Sequence, residues 1–250
     1  MDVLAFIILG VVLIVVIYYF MYNSGSTVLS NKLDLGIVQP PVPVASLGLN
    51  PGSPRYSIEM WMYVYNFNGA STYIVSRAAK AATAAIAAVG TAGQTGYQAA
   101  VAANPLKNIG IKIDGATPKL TLEYTRPNAT TNVSEKQEQL ITDNLPLQTW
   151  VHLIVSVDNT FVDIYMNGKL VKSFQDKIDA PSDTAPMDYG LVNCYLAKLA
   201  RTTSATDPQS AWDKYIAGNG ENPLAKYLAS FGLSVTLQKN NQDYSKVTIF

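Results

Sequence analysis

The sequence predicts a mainly β fold, an antiparallel β-sandwich preceded by one transmembrane helix. Two observations lead to this prediction. The chain begins with an uninterrupted apolar run from Val3 to Tyr22, and after Arg55 it contains many short segments in which apolar residues alternate with others. Short alternating segments separated by turn residues are typical of sandwiches built from two antiparallel sheets.

The apolar run is long enough to cross a bilayer. As a helix, about 20 residues span roughly 30 Å, the thickness of the hydrocarbon layer. The run ends in aromatic residues, Tyr18–Tyr22, which suit the membrane interface. A cleaved signal peptide is the alternative, because the small residues Ser24–Ser26 follow. However, no Lys or Arg precedes the run, and it is longer than the apolar part of a usual signal. We predict a retained single-pass anchor over residues 1–22.

Residues 23–54 are predicted to form an extended tether between the anchor and the sandwich. Proline fixes φ and removes a hydrogen-bond donor, so the segment is expected to be extended and semi-rigid. Its apolar residues leave a second role open, in which the strip lies along a neighbouring protein. The five prolines are Pro40, Pro41, Pro43, Pro51 and Pro54, and the apolar residues are Ile37, Val38, Val42 and Val44.

Residues 55–250 are predicted to form the sandwich, and the alternation assigns a face to each strand. In the first strand Ile58, Met60, Met62 and Val64 are expected to point inwards, whereas Glu59, Trp61, Tyr63 and Tyr65 point outwards. The other predicted core faces are Ile109, Ile111 and Ile113; Leu120, Leu122 and Tyr124; Val151, Leu153, Val155 and Val157; and Leu233, Val235 and Leu237.

One hairpin can be assigned a register from its turn. The pair Asn167-Gly168 supplies the two positive-φ positions of a type I′ turn. Counting outwards pairs Tyr165 with Leu170, Asp163 with Lys172, and Phe161 with Phe174. An opposite-charge pair and an aromatic pair then face each other across the strands, which favours this register.

Two segments depart from the β pattern. Residues 78–104 are rich in alanine and are predicted to be an insertion, with a short helix over Ala78–Val89 that is either a bland surface feature or a small-residue surface for a partner. Further on, Asp207 and Pro208 are typical of the start of a helix that extends to Ala217 and is closed by Gly218. Its apolar residues are Trp212, Tyr215 and Ile216.

Composition excludes some functions. The 18 basic residues balance 18 acidic ones, and no basic stripe is present, so a nucleic-acid partner is not expected. Cys194 is the sole cysteine, which rules out an intramolecular disulfide and favours folding in a reducing compartment. The sequons at Asn128 and Asn132 are read first as a surface loop rather than as glycosylation sites.

The sequence carries no convergent catalytic set, and we predict neither catalytic residues nor a cofactor. His152 is the one histidine, so both a catalytic triad and a zinc site would depend on it, and its place in a strand favours packing. Glu59 is the single acid on its strand and is expected to be a surface or hydrogen-bonding residue rather than half of a glycosidase pair. A loop with Asp176, Asp179, Asp183 and Asp188 could bind calcium but lacks EF-hand spacing, and a solvated loop is favoured.

Two neighbouring segments resemble a known family. Leu147–Asp158, which contains Trp150, and Val162–Val171, which contains Tyr165-Met166-Asn167-Gly168, resemble the laminin-G-like, concanavalin A-like jelly-roll family. Tyr56–Tyr65 resembles its opening strand, and Tyr195–Arg201 together with the helix through Trp212 and Tyr215 resembles its closing region. The resemblance covers roughly residues 55–218 and implies a concanavalin A-like jelly roll. Members bind sugars, proteins or calcium, or pack as structural modules, and none of their ligand residues can be matched here.

The arrangement of anchor, tether and disulfide-free sandwich also resembles minor capsid or virion membrane proteins of large icosahedral DNA viruses with an internal membrane. That resemblance implies a non-enzymatic structural protein whose partners are the lipid bilayer and other coat proteins, located at the virion inner membrane. The alternative is a membrane-displayed, lectin-like module that binds a glycan or a receptor. The family resemblance and the 15 tyrosines and 3 tryptophans favour this alternative.

Overall fold

The computed structural model describes residues 26–67, 69–80, 106–127 and 134–219, together with the backbone of two strands at 234–239 and 242–248. The described residues between 26 and 219 form two large antiparallel sheets that enclose the main hydrophobic core. The six-stranded sheet contains, in spatial order, β1 (Ser26–Asp34), β11 (Cys194–Thr202), β2 (Arg55–Val64), β7 (Trp150–Asp158), β8 (Phe161–Met166) and β9 (Lys169–Gln175). The five-stranded sheet contains β10 (Met187–Tyr189), β3 (Thr72–Ala78), β4 (Lys107–Ile113), β5 (Leu120–Pro127) and β6 (Ser134–Thr142).

The core confirms the faces predicted from alternation in the described strands. In β2 the residues Ile58, Met60, Met62 and Val64 are buried between the sheets. The same holds for the predicted inward residues of β4, β5 and β7. Because side chains alternate across a strand, the remaining residues of these strands lie on the outer faces of the sandwich.

The predicted tether is wrong for residues 26–54, which belong to the sandwich. Strand β1 pairs with β11 at the edge of the six-stranded sheet, and a short 3₁₀ helix follows at Val44–Leu47. Leu35, Val42 and Leu47 are buried in the core. Burial of Val42 and Leu47 favours packing of the segment over a free strip, whereas Ile37 and Val38 remain 63% and 85% exposed.

The hairpin register is correct only next to its turn. Asn167 and Gly168 have positive φ, and Tyr165 pairs with Leu170. An irregularity then shifts the pairing by one residue, so that Asp163 pairs with Ser173 and Val162 with Phe174. The predicted pairs Asp163 with Lys172 and Phe161 with Phe174 are therefore wrong. The shift turns Phe174 towards the core, where its ring lies 5.7 Å from that of Tyr124.

The predicted helix is confirmed as α1 (Pro208–Ile216). Asp207 caps it by accepting a hydrogen bond from the backbone N–H of Ser210, and Gly218 has the positive φ expected just beyond the C-cap. The strand predicted around Val235 is also present. It is β12 (Ser234–Lys239), which pairs with β13 (Gln242–Thr248) in a separate two-stranded sheet. Strands β12 and β13 join neither large sheet, and the sandwich boundary at residue 250 stays a prediction.

Two buried arginines tie loops to one end of the sandwich. Arg77 on β3 donates hydrogen bonds to the carbonyl oxygens of Pro51, Ser182 and Ala185. Arg201 on β11 donates to the carbonyl oxygens of Leu47, Leu49 and Asn50. Each arginine is no more than 2% exposed. These bonds explain why the segment before β2 follows the surface of the sandwich.

Several predictions fall outside the described residues. They are the anchor at Val3–Tyr22, nearly all of the Ala-rich insertion, and the sequons at Asn128 and Asn132. Among the residues that the structure does describe, no helix is long and apolar enough to cross a membrane.

Candidate functional site on the outer face of the six-stranded sheet

The outer face of the six-stranded sheet carries a buried carboxylate, a buried histidine and several aromatic side chains. Strand β2 lies near its middle, between β11 and β7, and presents Glu59, Trp61 and Tyr63 outwards. Helix α1 crosses part of this face and buries Ala211 against Ile154 and Tyr165. The face therefore has a central part beneath the helix and open parts on either side.

Beneath the helix, the carboxylate of Glu59 is surrounded by cationic and polar side chains. Its Oε1 atom lies 3.2 Å from Nζ of Lys198 and 3.4 Å from Nε2 of His152, and its Oε2 atom lies 3.4 Å from Nζ of Lys214. The Glu59 side chain is 3% exposed. Strands β2, β7 and β11 and helix α1 each contribute one member, so this cluster joins four elements. We call these four residues the Glu59 cluster.

The contacts of Glu59 keep it ionised. Burial raises the pKa of its carboxyl group, but the hydrogen bond from His152 and the charges of Lys198 and Lys214 lower it by more. The net effect lowers the pKa from 4.5 to about 2. A general acid in glycoside hydrolysis needs a raised carboxyl pKa, and that of Glu59 is shifted the other way.

Aromatic rings pack beside the Glu59 cluster. The ring of Trp61 stacks on that of Tyr215 from α1, with a centroid distance of 5.7 Å and an interplanar angle of 14°. The His152 ring lies 4.8 Å from the Trp61 ring. Two buried nitrogen atoms in this region, Nε1 of Trp61 and Nδ1 of His152, have no hydrogen-bond partner.

Further aromatic residues lie on the part of the sheet face that the helix does not cover. The Tyr63 ring lies 5.6 Å from that of Trp150 and 6.2 Å from that of Tyr195, and the Tyr65 and Tyr195 rings are 5.1 Å apart. Tyr63, Tyr65 and Trp150 are partly exposed, and Tyr195 is 38% exposed. We call these four residues the aromatic platform. It offers adjacent ring faces to a ligand in solution.

On the other side of α1, a cleft of about 470 Å³ lies between the start of the helix and the ends of β7 and β8. Its wall includes Phe161, which is 53% exposed, and the carboxylates of Asp158, Asp163 and Asp207. One of these is paired, because Nε of Arg55 lies 2.7 Å from Asp158. The cleft is therefore an acidic site with one aromatic wall.

The structure brings together two residues that the sequence considered separately, His152 and Glu59. Glu59 was expected to be either a surface or a hydrogen-bonding residue, and the structure shows the second alternative, because α1 covers the side chain and His152 contacts it. His152 is fully buried and packs against Trp61, as its place in a strand predicts.

The four aspartates considered for calcium have other partners or lie apart. Asp176 accepts a hydrogen bond from the hydroxyl of Tyr124, Asp183 lies 3.9 Å from Nζ of Lys80, and Asp188 is in β10. Asp179 is hydrogen-bonded through its backbone to Thr125 and Asn108, and its Oδ2 atom is buried without a hydrogen-bond partner. Within the described ranges, no group of three or more His, Cys, Asp or Glu side chains is arranged to hold a metal ion.

Sequence reasoning missed Lys198, Lys214 and Tyr195. Alternation along β2 assigns Glu59 and the outward aromatics to one face, but it does not indicate that β11 lies beside β2. Lys198 reaches Glu59 at a bulge, where its φ is +47°. No local signal in the sequence marks that bulge.

Comparison with known proteins identifies the family. Residues 39–190 match Laminin_G_3, described as the Concanavalin A-like lectin/glucanases superfamily. The match extends over more than half of the chain, and the chain belongs to this family. It begins well before β2, in agreement with the packing of that segment, and it ends before β11 and α1. The predicted concanavalin A-like sandwich is thus confirmed. No curated protein sequence matches the chain.

Solved structures with a similar fold include receptor-binding domains of botulinum neurotoxins. The serotype D ligand-binding domain in complex with N-acetylneuraminic acid has a TM-score of 0.50 and 9% identity, covering 76% of this chain and 43% of that one. The serotype G binding domain has a TM-score of 0.42 and 14% identity, covering 65% of this chain and 36% of that one. This chain thus spans less than half the length of either structure. The first likeness supports the fold alone.

Proposed function

We propose that this protein is a membrane-anchored, non-catalytic binding module that recognises a carbohydrate through the aromatic platform. The observation that carries the proposal is the contiguous set of rings formed by Tyr63, Tyr65, Trp150 and Tyr195 on an open sheet face. An aromatic ring presents a flat apolar face, and the phenol hydroxyls add hydrogen-bonding groups at its edge. A sugar ring needs both features, because it has apolar C–H faces and polar hydroxyls around its rim.

The charge near the platform favours a neutral sugar. The hydroxyl of Tyr65 is neutral and can both donate and accept hydrogen bonds, and burial and the nearby carboxylate of Asp34 raise its pKa further above neutrality. The same carboxylate would repel an acidic sugar. The lowered pKa of Glu59 also supports binding rather than hydrolysis.

The test is a glycan array probed with the full-length protein. A mild detergent without a sugar headgroup keeps the apolar N-terminal run in solution and does not compete for the platform. The array includes neutral oligosaccharides and sialylated glycans, because the serotype D toxin domain was solved with N-acetylneuraminic acid. We expect reproducible binding to neutral glycans that Trp150→Ala and Tyr63→Ala each abolish.

The matched control is Phe161→Ala, which removes another exposed aromatic side chain on the far side of α1. We expect this variant to bind as the unchanged protein does. Binding that survives Trp150→Ala but is lost in Phe161→Ala would move the site to the acidic cleft. A blank array with correctly folded protein would contradict carbohydrate recognition.

A second candidate is a structural linker between a membrane and a protein coat, as in a minor capsid protein. The observation that favours it is the position of the apolar run, which ends at Tyr22, a few residues before β1 starts at Ser26. Because β1 is hydrogen-bonded into the sheet, such an anchor would hold the sandwich close to the bilayer. Here the platform would contact a coat protein. Detergent-stripped particles that retain the protein on the coat would support this role, and its complete extraction with the lipid would contradict it.

A further inference from the structure

The outward side of β2 carries part of the aromatic platform and continues beneath α1. Tyr63 belongs to the platform, and Trp61 and Glu59 continue the same outward side of the strand beneath α1. Trp61 is 7% exposed, because the helix covers it. The open platform is therefore one part of a longer surface that α1 divides.

Two side chains of the helix make contacts with this covered surface that a bound sugar could make instead. The ring of Tyr215 stacks nearly parallel on Trp61, the position that a sugar ring takes on an aromatic side chain. Nζ of Lys214 lies 3.4 Å from Oε2 of Glu59, where a ligand hydroxyl could donate a hydrogen bond. Removal of these two side chains would uncover a ring face and a carboxylate oxygen.

Two buried polar atoms in the covered surface lack partners. Nε1 of Trp61 is a donor, and Nδ1 of His152 is an acceptor when Nε2 carries the proton that faces Glu59. Trp61 is more than nine-tenths buried and His152 fully so. Leaving such groups unpaired is unfavourable, and sugar hydroxyls could pair with both.

Helix α1 buries few of its own residues against the sheet. Ala211 is its one buried residue, whereas Trp212 is 42% and Ile216 is 64% exposed. The helix has nine residues, too few to be stable by itself in water. It is held by the stack of Tyr215 on Trp61, by the burial of Ala211 and by Lys214, whose Nζ lies near Glu59 and near the hydroxyls of Thr202 and Thr206. The residue just before its N-cap, Thr206, is fixed to the sheet by hydrogen bonds with Ser57 and Ser156. Displacing it would not disturb the core between the two sheets.

We infer that Glu59, Trp61 and His152 form a second saccharide subsite, which α1 covers with Tyr215 in the place of a sugar ring. This inference rests on the proposed function, since the subsite extends the aromatic platform. Without Lys214, the charges of Glu59 and Lys198 balance, so the subsite suits a neutral sugar. The ligand class is a neutral oligosaccharide long enough to continue from the platform beneath the helix.

The test compares a short and a long ligand. The probes are chitobiose and chitohexaose, titrated into the full-length protein in the same sugar-free detergent. The disaccharide reaches the platform alone, whereas the hexasaccharide also reaches the subsite. Tyr215→Ala removes the side chain that occupies the subsite, so it should bind the hexasaccharide about five- to tenfold more tightly and the disaccharide unchanged.

Ile216→Ala is the control, because it shortens an exposed side chain on the same helix. It should bind both probes as the unchanged protein does. The double variant Trp61→Ala with Tyr215→Ala should lose the gain for the hexasaccharide. A thermal unfolding curve for each variant confirms that the sandwich is intact.

A second measurement keeps Tyr215 and Lys214, the two helix side chains that cover the subsite, in place. A variant with Trp150→Phe and Trp212→Phe keeps Trp61 as the only tryptophan, and the emission of Trp61 should change with the hexasaccharide but not with the disaccharide. Unchanged hexasaccharide affinity in Tyr215→Ala, with disaccharide binding intact, would overturn the subsite alone. Failure of the unchanged protein to bind either probe would overturn the platform and the subsite together.

Discussion

The buried carboxylate of Glu59 is met by side chains of opposite charge, whereas the buried guanidinium groups of Arg77 and Arg201 are met by backbone carbonyl oxygens. The partners of Glu59 include Lys198 and Lys214, whose side chains are 26% and 23% exposed. The partners of the arginines are the carbonyls of loops at one end of the sandwich. One group joins a helix to a sheet, and the other joins loops to a sheet.

The two arrangements differ in whether a partner can leave without exposing an unpaired buried charge. Lys214 can leave Glu59 and enter water, and Lys198 and His152 still face the carboxylate. A loop carbonyl that leaves Arg77 or Arg201 uncovers a buried charge with no replacement, which is strongly unfavourable. We therefore expect the loops at the arginine end to be fixed, whereas α1 can move over the outer face. That contrast is what allows a binding surface beneath the helix.

The largest expected effect comes from the arginine end. Arg201→Leu leaves the carbonyls of Leu47, Leu49 and Asn50 without their donors and should lower the free energy of unfolding by about 3 to 5 kcal/mol. Arg201→Lys is the control, since it keeps the charge but not the planar fork, and it should lose less. Urea unfolding measures both. Equal losses would mean that the retained charge does not help, and that the geometry of the guanidinium alone holds the loops.

The next effect tests the Glu59 cluster. Glu59→Gln leaves Lys198 and Lys214 facing a neutral side chain and should lower stability by roughly 3 kcal/mol at pH 7. The folded pKa of about 2 is below the ordinary 4.5, so between those values the unfolded state binds more protons.

The stability that Glu59 contributes is therefore complete above about pH 5 and is lost as the pH falls towards 2. The stability difference between the unchanged protein and Glu59→Gln, measured by urea unfolding across this range, should shrink as the pH falls. A difference independent of pH would mean that the charge of Glu59 contributes no stability.

A smaller effect is expected at the start of α1. Asp207→Ala removes the side chain that accepts hydrogen bonds from Ser210 and should destabilise the helix by about 1 kcal/mol. Hydrogen exchange should become faster in the amides of α1 but not in those of β2 and β7. If exchange becomes faster across the sandwich as well, the helix and the sheet open together and α1 is not a separate cover.

The smallest effect is expected at the rim of the acidic cleft. The ion pair between Arg55 and Asp158 joins side chains that are 60% and 47% exposed, so Arg55→Ala should change stability by no more than about 0.5 kcal/mol. Thermal unfolding at low and high salt checks this. If Arg55→Ala lowered stability as much as Glu59→Gln, burial would not explain the different contributions of the exposed Arg55–Asp158 pair and the Glu59 cluster.

Alternation along the chain predicted the inward faces of β2, β4, β5 and β7, because each of these half-buried strands carries its own periodic pattern. The start and end of α1 were likewise visible in Asp207, Pro208 and Gly218. Features that depend on contacts between distant segments were not visible. The packing of residues 26–54 depends on β11 and Arg201, more than 140 positions later in the chain. The register of the β8–β9 hairpin depends on Phe174 reaching Tyr124.

In the candidate site as well, features within one strand were predicted, whereas contacts between distant segments were not. The outward aromatic residues of β2 were predicted as one face, whereas Tyr195 joins the platform only because β11 lies beside β2. The cover of Glu59 by α1 was not predicted, because a strand pattern does not indicate which outer face a later helix crosses.

The aromatic platform is tested most directly by Trp150 itself. A variant with Trp61→Phe and Trp212→Phe keeps Trp150 as the sole tryptophan of the chain. Titration of the full-length variant with chitobiose, which reaches the platform alone, should produce a saturable change in Trp150 emission, with the same midpoint as calorimetry gives for the unchanged protein. Calorimetric binding with no change in Trp150 emission would place the sugar elsewhere and contradict the platform.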